Sequence, residues 1–168
     1  YRFAADLLGT VLKSNVETRV GASFQALTCA PTSGTLGSAG PYWINADFPN
    51  VPLTQAVYHA ALANALAGQN LNASEPDYVF PDNIEITSRF NSQLGTANCL
   101  TGSGWYYGLD GNTPEGQINF LDVVIHEIAH GMGFSGFVNY NTGVLGGRAG
   151  ANGYTDPYTH NAWDNLQN

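Results

Sequence analysis

Charge is scarce in this sequence. Only 11% of its residues are Asp, Glu, Lys or Arg, against roughly 25% in an average globular chain. Basic residues are scarcer still: 5 Lys+Arg against 13 Asp+Glu, a net charge of −8. A nucleic-acid binder that works through a cationic surface is therefore excluded, because phosphates need cationic partners. A charged linker, a coiled coil and a charge-driven disordered chain are excluded on the same count. No apolar run approaches the roughly 18 residues that span a bilayer, and an acidic surface disfavours anionic membranes. There are only two cysteines and no C-x-x-C pair, so a cysteine-based zinc module is excluded. There is no internal repeat and no low-complexity block. What is present is 43% apolar and 12% aromatic residues in a chain of 168. That is enough for one core, and residues 1–168 read as a single domain.

The polar surface is built from neutral residues, with 20 Gly and a large share of Asn, Ser and Thr. Such a surface fits a secreted, extracellular protein. In that setting Cys29 and Cys99 predict a disulfide, worth roughly 4 kcal/mol on the chain-entropy model; two buried thiols are the alternative. The chain begins at Tyr1 rather than Met, as a processed chain or a fragment would. Asn72-Ala-Ser74 is a glycosylation sequon.

The periodicity predicts a helix over Arg2–Leu12, with Phe3, Leu7, Leu8, Val11 and Leu12 on one side. Alternation predicts strands at Glu17–Leu27 and Asn83–Phe90, with shorter ones at Pro41–Phe48 and Gly104–Leu109. Residues 32–40 are Gly/Ser/Thr-rich and read as a loop. Pro52–Ala67 reads as a helix opened by Pro and stopped by Gly68. A short helix is expected near Tyr158–Leu166. Asp110–Glu115 has oxygen ligands at a calcium-loop spacing but lacks the rest of an EF-hand, so it reads as a turn and Ca²⁺ is left unsupported. This mixture of elements predicts an α+β fold.

The strongest helix is Asn119–His130, and it carries His126-Glu127-Ile-Ala-His130, an H-E-x-x-H motif. On a helix the two histidines lie one turn apart on one face, a spacing that lets both imidazoles bind one Zn²⁺. Glu127 sits about 100° round the helix, placed to take a proton from a water activated by the metal. Asn119, Asp122, Val123, His126, Glu127 and His130 share one arc; Leu121, Val124, Ile125, Ile128 and Ala129 share the other. Asn119 is a good N-cap, Asp122 suits the positive helix end or orients a ligand, and Gly131 fits the C′ position. The bland alternative is a chance match on an amphipathic helix. Two of only four histidines lie in the motif; His59 reads as structural.

Through these residues the chain resembles the zincin metallopeptidases. The resemblance implies a small mixed sheet with backing helices and a site helix under a cleft. It makes His126 and His130 zinc ligands, Glu127 the general base, and a protein or peptide the substrate, held extended along an edge strand. Asn83–Phe90 and Gly104–Leu109 are the candidates for that strand. The metzincin pattern continues x-x-G-x-x-H and a methionine turn. Gly133 matches its glycine, but Gly136 stands where the third histidine would be, and the one methionine, Met132, lies inside the motif. The third ligand is thus expected downstream at Asp156, with His160 and then Asp164 as alternatives; Gly-x-x-Asp faintly resembles the aspzincin branch. Tyr140, Tyr154 and Tyr158 are downstream candidates for an oxyanion donor, with core or surface packing the favoured reading of each. The reading is a secreted zinc metalloendopeptidase, or its catalytic part, with chain continuing beyond Asn168. Its rivals are a non-catalytic binding or adhesion module and a zinc hydrolase of non-peptide substrates.

Overall fold

The computed structural model describes residues 1–74, 83–139, 141–145 and 153–162. They form an α+β arrangement of small sheets and four helices. The strands are β1 (Val20–Gln25), β2 (Cys29–Ala30), β3 (Ser33–Gly34), β4 (Gly37–Pro41), β5 (Ile44–Ala46), β6 (Val57–His59), β7 (Ile86–Asn91), β8 (Gly104–Tyr106), β9 (Gln117–Asn119), β10 (Val138–Asn139) and β11 (Val144–Leu145). The helices are α1 (Arg2–Gly9), α2 (Ala60–Ala67), α3 (Phe120–Met132) and α4 (Pro157–Asn161).

The largest sheet has the order β1-β7-β4. β7 runs parallel to β1 and antiparallel to β4, so the sheet is mixed. β7 is central, paired on both sides, and largely buried: Ile86, Ser88, Phe90 and Asn91 are all enclosed. It therefore cannot be the edge strand that the Asn83–Phe90 expectation required. The edges are β1 and β4; β4, Gly-Ser-Ala-Gly-Pro, lies in the stretch read as a loop except for Pro41, the first residue of an expected short strand. Its side chains carry no β propensity; its extended state comes from pairing with β7, Gly37 opposite Phe90 through Pro41 opposite Ile86.

Helix α3 lies across this sheet. Val124 and Ile128 pack with Phe90 and Ala4, and each such buried side chain contributes about 1.5–3 kcal/mol. Asn119 caps the helix, its side chain accepting from the Leu121 N–H at 2.9 Å. The stop differs from expectation. The helix runs through Gly131 to Met132 and ends at Gly133, whose φ of 113° is left-handed. Gly131 is instead a packing glycine: a Cβ there would lie 2.3 Å from Ile86 Cγ2.

Three further differences have local causes. α1 stops at Gly9, and Phe3, Leu7, Val11 and Leu12 are exposed; it buries Ala4. The Pro52–Ala67 expectation is half met. Gln55 has φ 54°, which no right-handed helix contains, and Val57–His59 pair with β5; the helix starts only at the alanine-rich Ala60. The C-terminal helix is shorter than expected and begins at Pro157, capped by Asp156.

Cys29 and Cys99 form the expected disulfide, tying β2 to the turn after β7 across 70 positions. No described helix is long and apolar enough to cross a membrane. A buried polar network was not anticipated. Glu85 is enclosed, accepts the Arg19 N–H at 2.6 Å and receives the Asn64 amide at 3.3 Å. Asn72 of the sequon is also buried and accepts from Asn45.

Candidate metal centre

Two features of α3 bring the motif histidines together. One helical turn separates them, and both rings project from the solvent-facing side. Their Nε2 atoms lie 2.9 Å apart, with the rings nearly perpendicular at 84°. Two Zn–N bonds of about 2.05 Å hold their nitrogens about 2.9 Å apart at a right angle and about 3.3 Å apart at the tetrahedral angle. The observed separation is that of an N–H···N hydrogen bond, a few tenths of an ångström short of the tetrahedral value.

The turn after α3 orients His130. Gly133 lets the chain fold back, so that Phe134 N–H reaches the Ala129 carbonyl at 3.0 Å. This brings the Phe134 carbonyl to His130 Nδ1, also at 3.0 Å. A carbonyl only accepts, so Nδ1 carries the proton, and neutral His130 presents its Nε2 lone pair outward. His126 Nε2 is its hydrogen-bond partner at 2.9 Å. Phe134 and Gly133 were not recognised as second-layer parts of the site; the glycine three residues past His130 was the available signal.

Glu127 lies beside the pair but is not solvent-facing as its helical arc suggested. It is buried against β4. Ala39 N–H donates to its carboxylate, and burial raises its pKa, partly countered by His126, His130 and that bond. Gly37 is needed for this approach, since a Cβ there would lie 2.8 Å from Glu127 Oε1. Next to the carboxylate is an open cavity of about 370 Å³, lined by Leu36, Gly37, Asp122, Val123, His126 and Glu127. Asp122 lies in the first turn of α3, after the Asn119 cap, and is also on the cavity wall.

The downstream ligand candidates that are described, Asp156 and His160, do not form a metal-holding group with the pair. Among the described residues, no three His, Cys, Asp or Glu side chains converge on a common metal position. Asp156 is fully buried and its oxygens accept from Thr159 N–H, Thr159 Oγ1–H and Phe137 N–H at 2.7–2.9 Å. It lies against Gly136: a Cβ on that glycine would meet both Asp156 oxygens at 3.4 Å and Thr159 Oγ1 at 2.5 Å. His160 is exposed in the last turn of α4. Tyr158 is exposed, and Tyr154 donates to Asp47. Tyr140 and Asp164 lie outside the described residues.

His59 was expected to be structural, and it is buried. Its Nε2 bonds Ser135 Oγ at 2.9 Å and its ring stacks on Phe137 at 4.4 Å. Burial lowers its pKa from 6.5 to about 4, against the pull of Asp156. Ser135 in turn donates to the His130 carbonyl at 3.2 Å, so His59 braces the turn that carries the Phe134 carbonyl.

No protein-family model matches this chain. No curated protein and no solved structure matches it either. The chemistry of the site therefore rests on its own geometry.

Proposed function

We propose that this chain is a secreted, zincin-like metallopeptidase that hydrolyses peptide bonds at the His126–Glu127–His130 site. One observation carries the reading. Two imidazole nitrogens converge at 2.9 Å beside a carboxylate whose pKa is raised by burial, next to β4, which among the described residues ends its sheet and pairs with β7 alone. A divalent ion fits the pair as two of its ligands, and the set is neutral nitrogen, which suits zinc.

When bound there, zinc supplies Lewis acidity, lowering the pKa of water toward 7 and polarising a carbonyl. The remaining roles belong to the chain. His126 and His130 hold the ion, and Phe134 O keeps His130 in the ligating tautomer. The outer edge of β4 binds a peptide in extended form through main-chain bonds. Glu127 accepts a proton from the attacking water as the new C–O bond forms. It returns that proton to the leaving nitrogen as the C–N bond breaks, so the acid and amine products balance the water consumed. A raised pKa suits a group that must both take and give a proton near neutrality. Asp156 is occupied in capping α4, and the reading assigns the remaining coordination to donors other than its carboxylate. The disulfide and the uncharged polar surface support the secreted setting.

The test is direct. The chain is titrated with Zn²⁺, and cleavage of a mixed peptide library is followed with and without chelator. Glu127→Gln is expected to keep zinc and lose about 10²-fold or more of the hydrolysis. His126→Ala is expected to lose both. A chain that takes up no zinc, or that cleaves nothing while loaded, is a binding module instead. Cleavage only of non-peptide esters or amides would favour the other rival.

A further inference from the structure

The cavity beside Glu127 has walls of two kinds. Leu36 and Val123 are apolar and half-buried, whereas Asp122 is exposed and its carboxylate has no hydrogen-bond or ion-pair partner among the described residues. Helix stability accounts for an acidic residue in the first turn of α3, since the positive helix end favours it. It does not account for the direction of this one. Asp122 is one turn before His126, on the same face, and so stands at the cavity that opens onto the reacting groups. Among the described residues no ion pair reaches it; those present join Arg2 to Asp6 and Arg19 to Glu17. The chain as a whole is strongly acidic, at −8, so a cationic partner is drawn toward it at low salt.

Resting on the peptidase reading above, we infer that this cavity is a specificity pocket for a basic side chain, Lys or Arg, flanking the scissile bond. Lys and Arg have apolar stems and charged heads. The stem would lie on Leu36 and Val123, and the head would meet Asp122. An acidic side chain in the same place would face Asp122 and Glu127 together. A neutral aliphatic one would leave Asp122 without a partner.

The experiment uses peptides identical except for Lys, Arg, norleucine, Gln or Glu at each of the two positions flanking one bond. Cleavage is measured with the zinc-loaded chain and with Asp122→Asn and Asp122→Lys. Equilibrium binding of the same peptides is measured with Glu127→Gln and with Glu127→Gln/Asp122→Asn. The expected result is about tenfold preference for Lys or Arg over norleucine at one position. That preference falls with added salt, disappears in Asp122→Asn and turns toward Glu in Asp122→Lys. Cleavage with no basic preference, or with one unchanged in Asp122→Asn, overturns the inference and leaves the peptidase reading standing. If nothing is cleaved, Asp122-dependent binding of the Lys and Arg peptides upholds the pocket while the peptidase reading falls. Equal binding of all five peptides overturns the pocket.

Discussion

Acidification from pH 7 to pH 4 forces the folded chain to choose between an uncharged and a buried charged His59. The ring is 2% exposed, stacked on Phe137 and bonded to Ser135. Burial holds its pKa at about 4, against 6.5 for an ordinary histidine. The unfolded chain therefore takes up a proton first as the pH falls. The stability that neutral His59 contributes is fully present above pH 6.5 and is lost on the way down to about pH 4. Linkage gives a loss of about 2 kcal/mol by pH 5 and about 3 kcal/mol by pH 4. The nearby Asp156 charge opposes the effect of burial, whereas His130 reinforces it. Glu85 and Glu127 have raised pKa values. Their contribution is present at low pH and lost as the pH rises, so it runs against that of His59.

The raw stability curve mixes these groups, and a difference curve separates them. His59→Gln keeps a polar atom near Ser135 but cannot titrate. Urea unfolding of both proteins, followed by tryptophan fluorescence at half-unit steps from pH 7.5 to 4, gives the difference directly. Its change between pH 7 and pH 4 should be about 3 kcal/mol, with the wild-type protein losing ground. A ring titration by NMR should give a midpoint well below 6.5. A flat difference curve, or a midpoint at 6.5, would refute the claim that His59 is buried in its neutral form.

Other perturbations follow from single contacts. Gly131→Ala places a methyl 2.3 Å from Ile86 Cγ2; it should lower stability by about 1–3 kcal/mol, and an unchanged unfolding midpoint would contradict the packing of α3 on β7. Gly37→Ala pushes into Glu127, which is the movable partner, so hydrolysis should fall by about tenfold or more while the melting temperature changes little; a loss of stability with normal activity would argue the reverse. Reduction of Cys29–Cys99 should cost about 4 kcal/mol, measured by denaturation with and without reductant. Asp156→Ala strands the Phe137 and Thr159 N–H groups and should cost about 2–4 kcal/mol without weakening zinc at His126 and His130. A tenfold loss of zinc affinity in a folded Asp156→Ala protein would make Asp156 a ligand after all.

Helix α3 and its paired histidines were legible because two independent signals coincide there. The 3.6-residue period marks Val124 and Ile128 as buried, and Asn119 marks the start. The disulfide was legible because only one pairing of two cysteines exists. The other wall of the site was not. β4 consists of Gly, Ser, Ala, Gly and Pro, a composition that by any propensity scale reads as loop. Yet small residues are what let a strand come this close to a helix. Gly37 leaves room for the Glu127 side chain, and Ala39 offers it a backbone N–H. The same closeness buries Glu127, which a helical projection alone assigns to the solvent side. Gly136 works alike: the space its side chain would need is filled by the Asp156 and Thr159 cluster. At this site the tightest packing is written as absent side chains, and a reading built on hydrophobic period finds the helix that carries the paired histidines and misses the backbone packed against it.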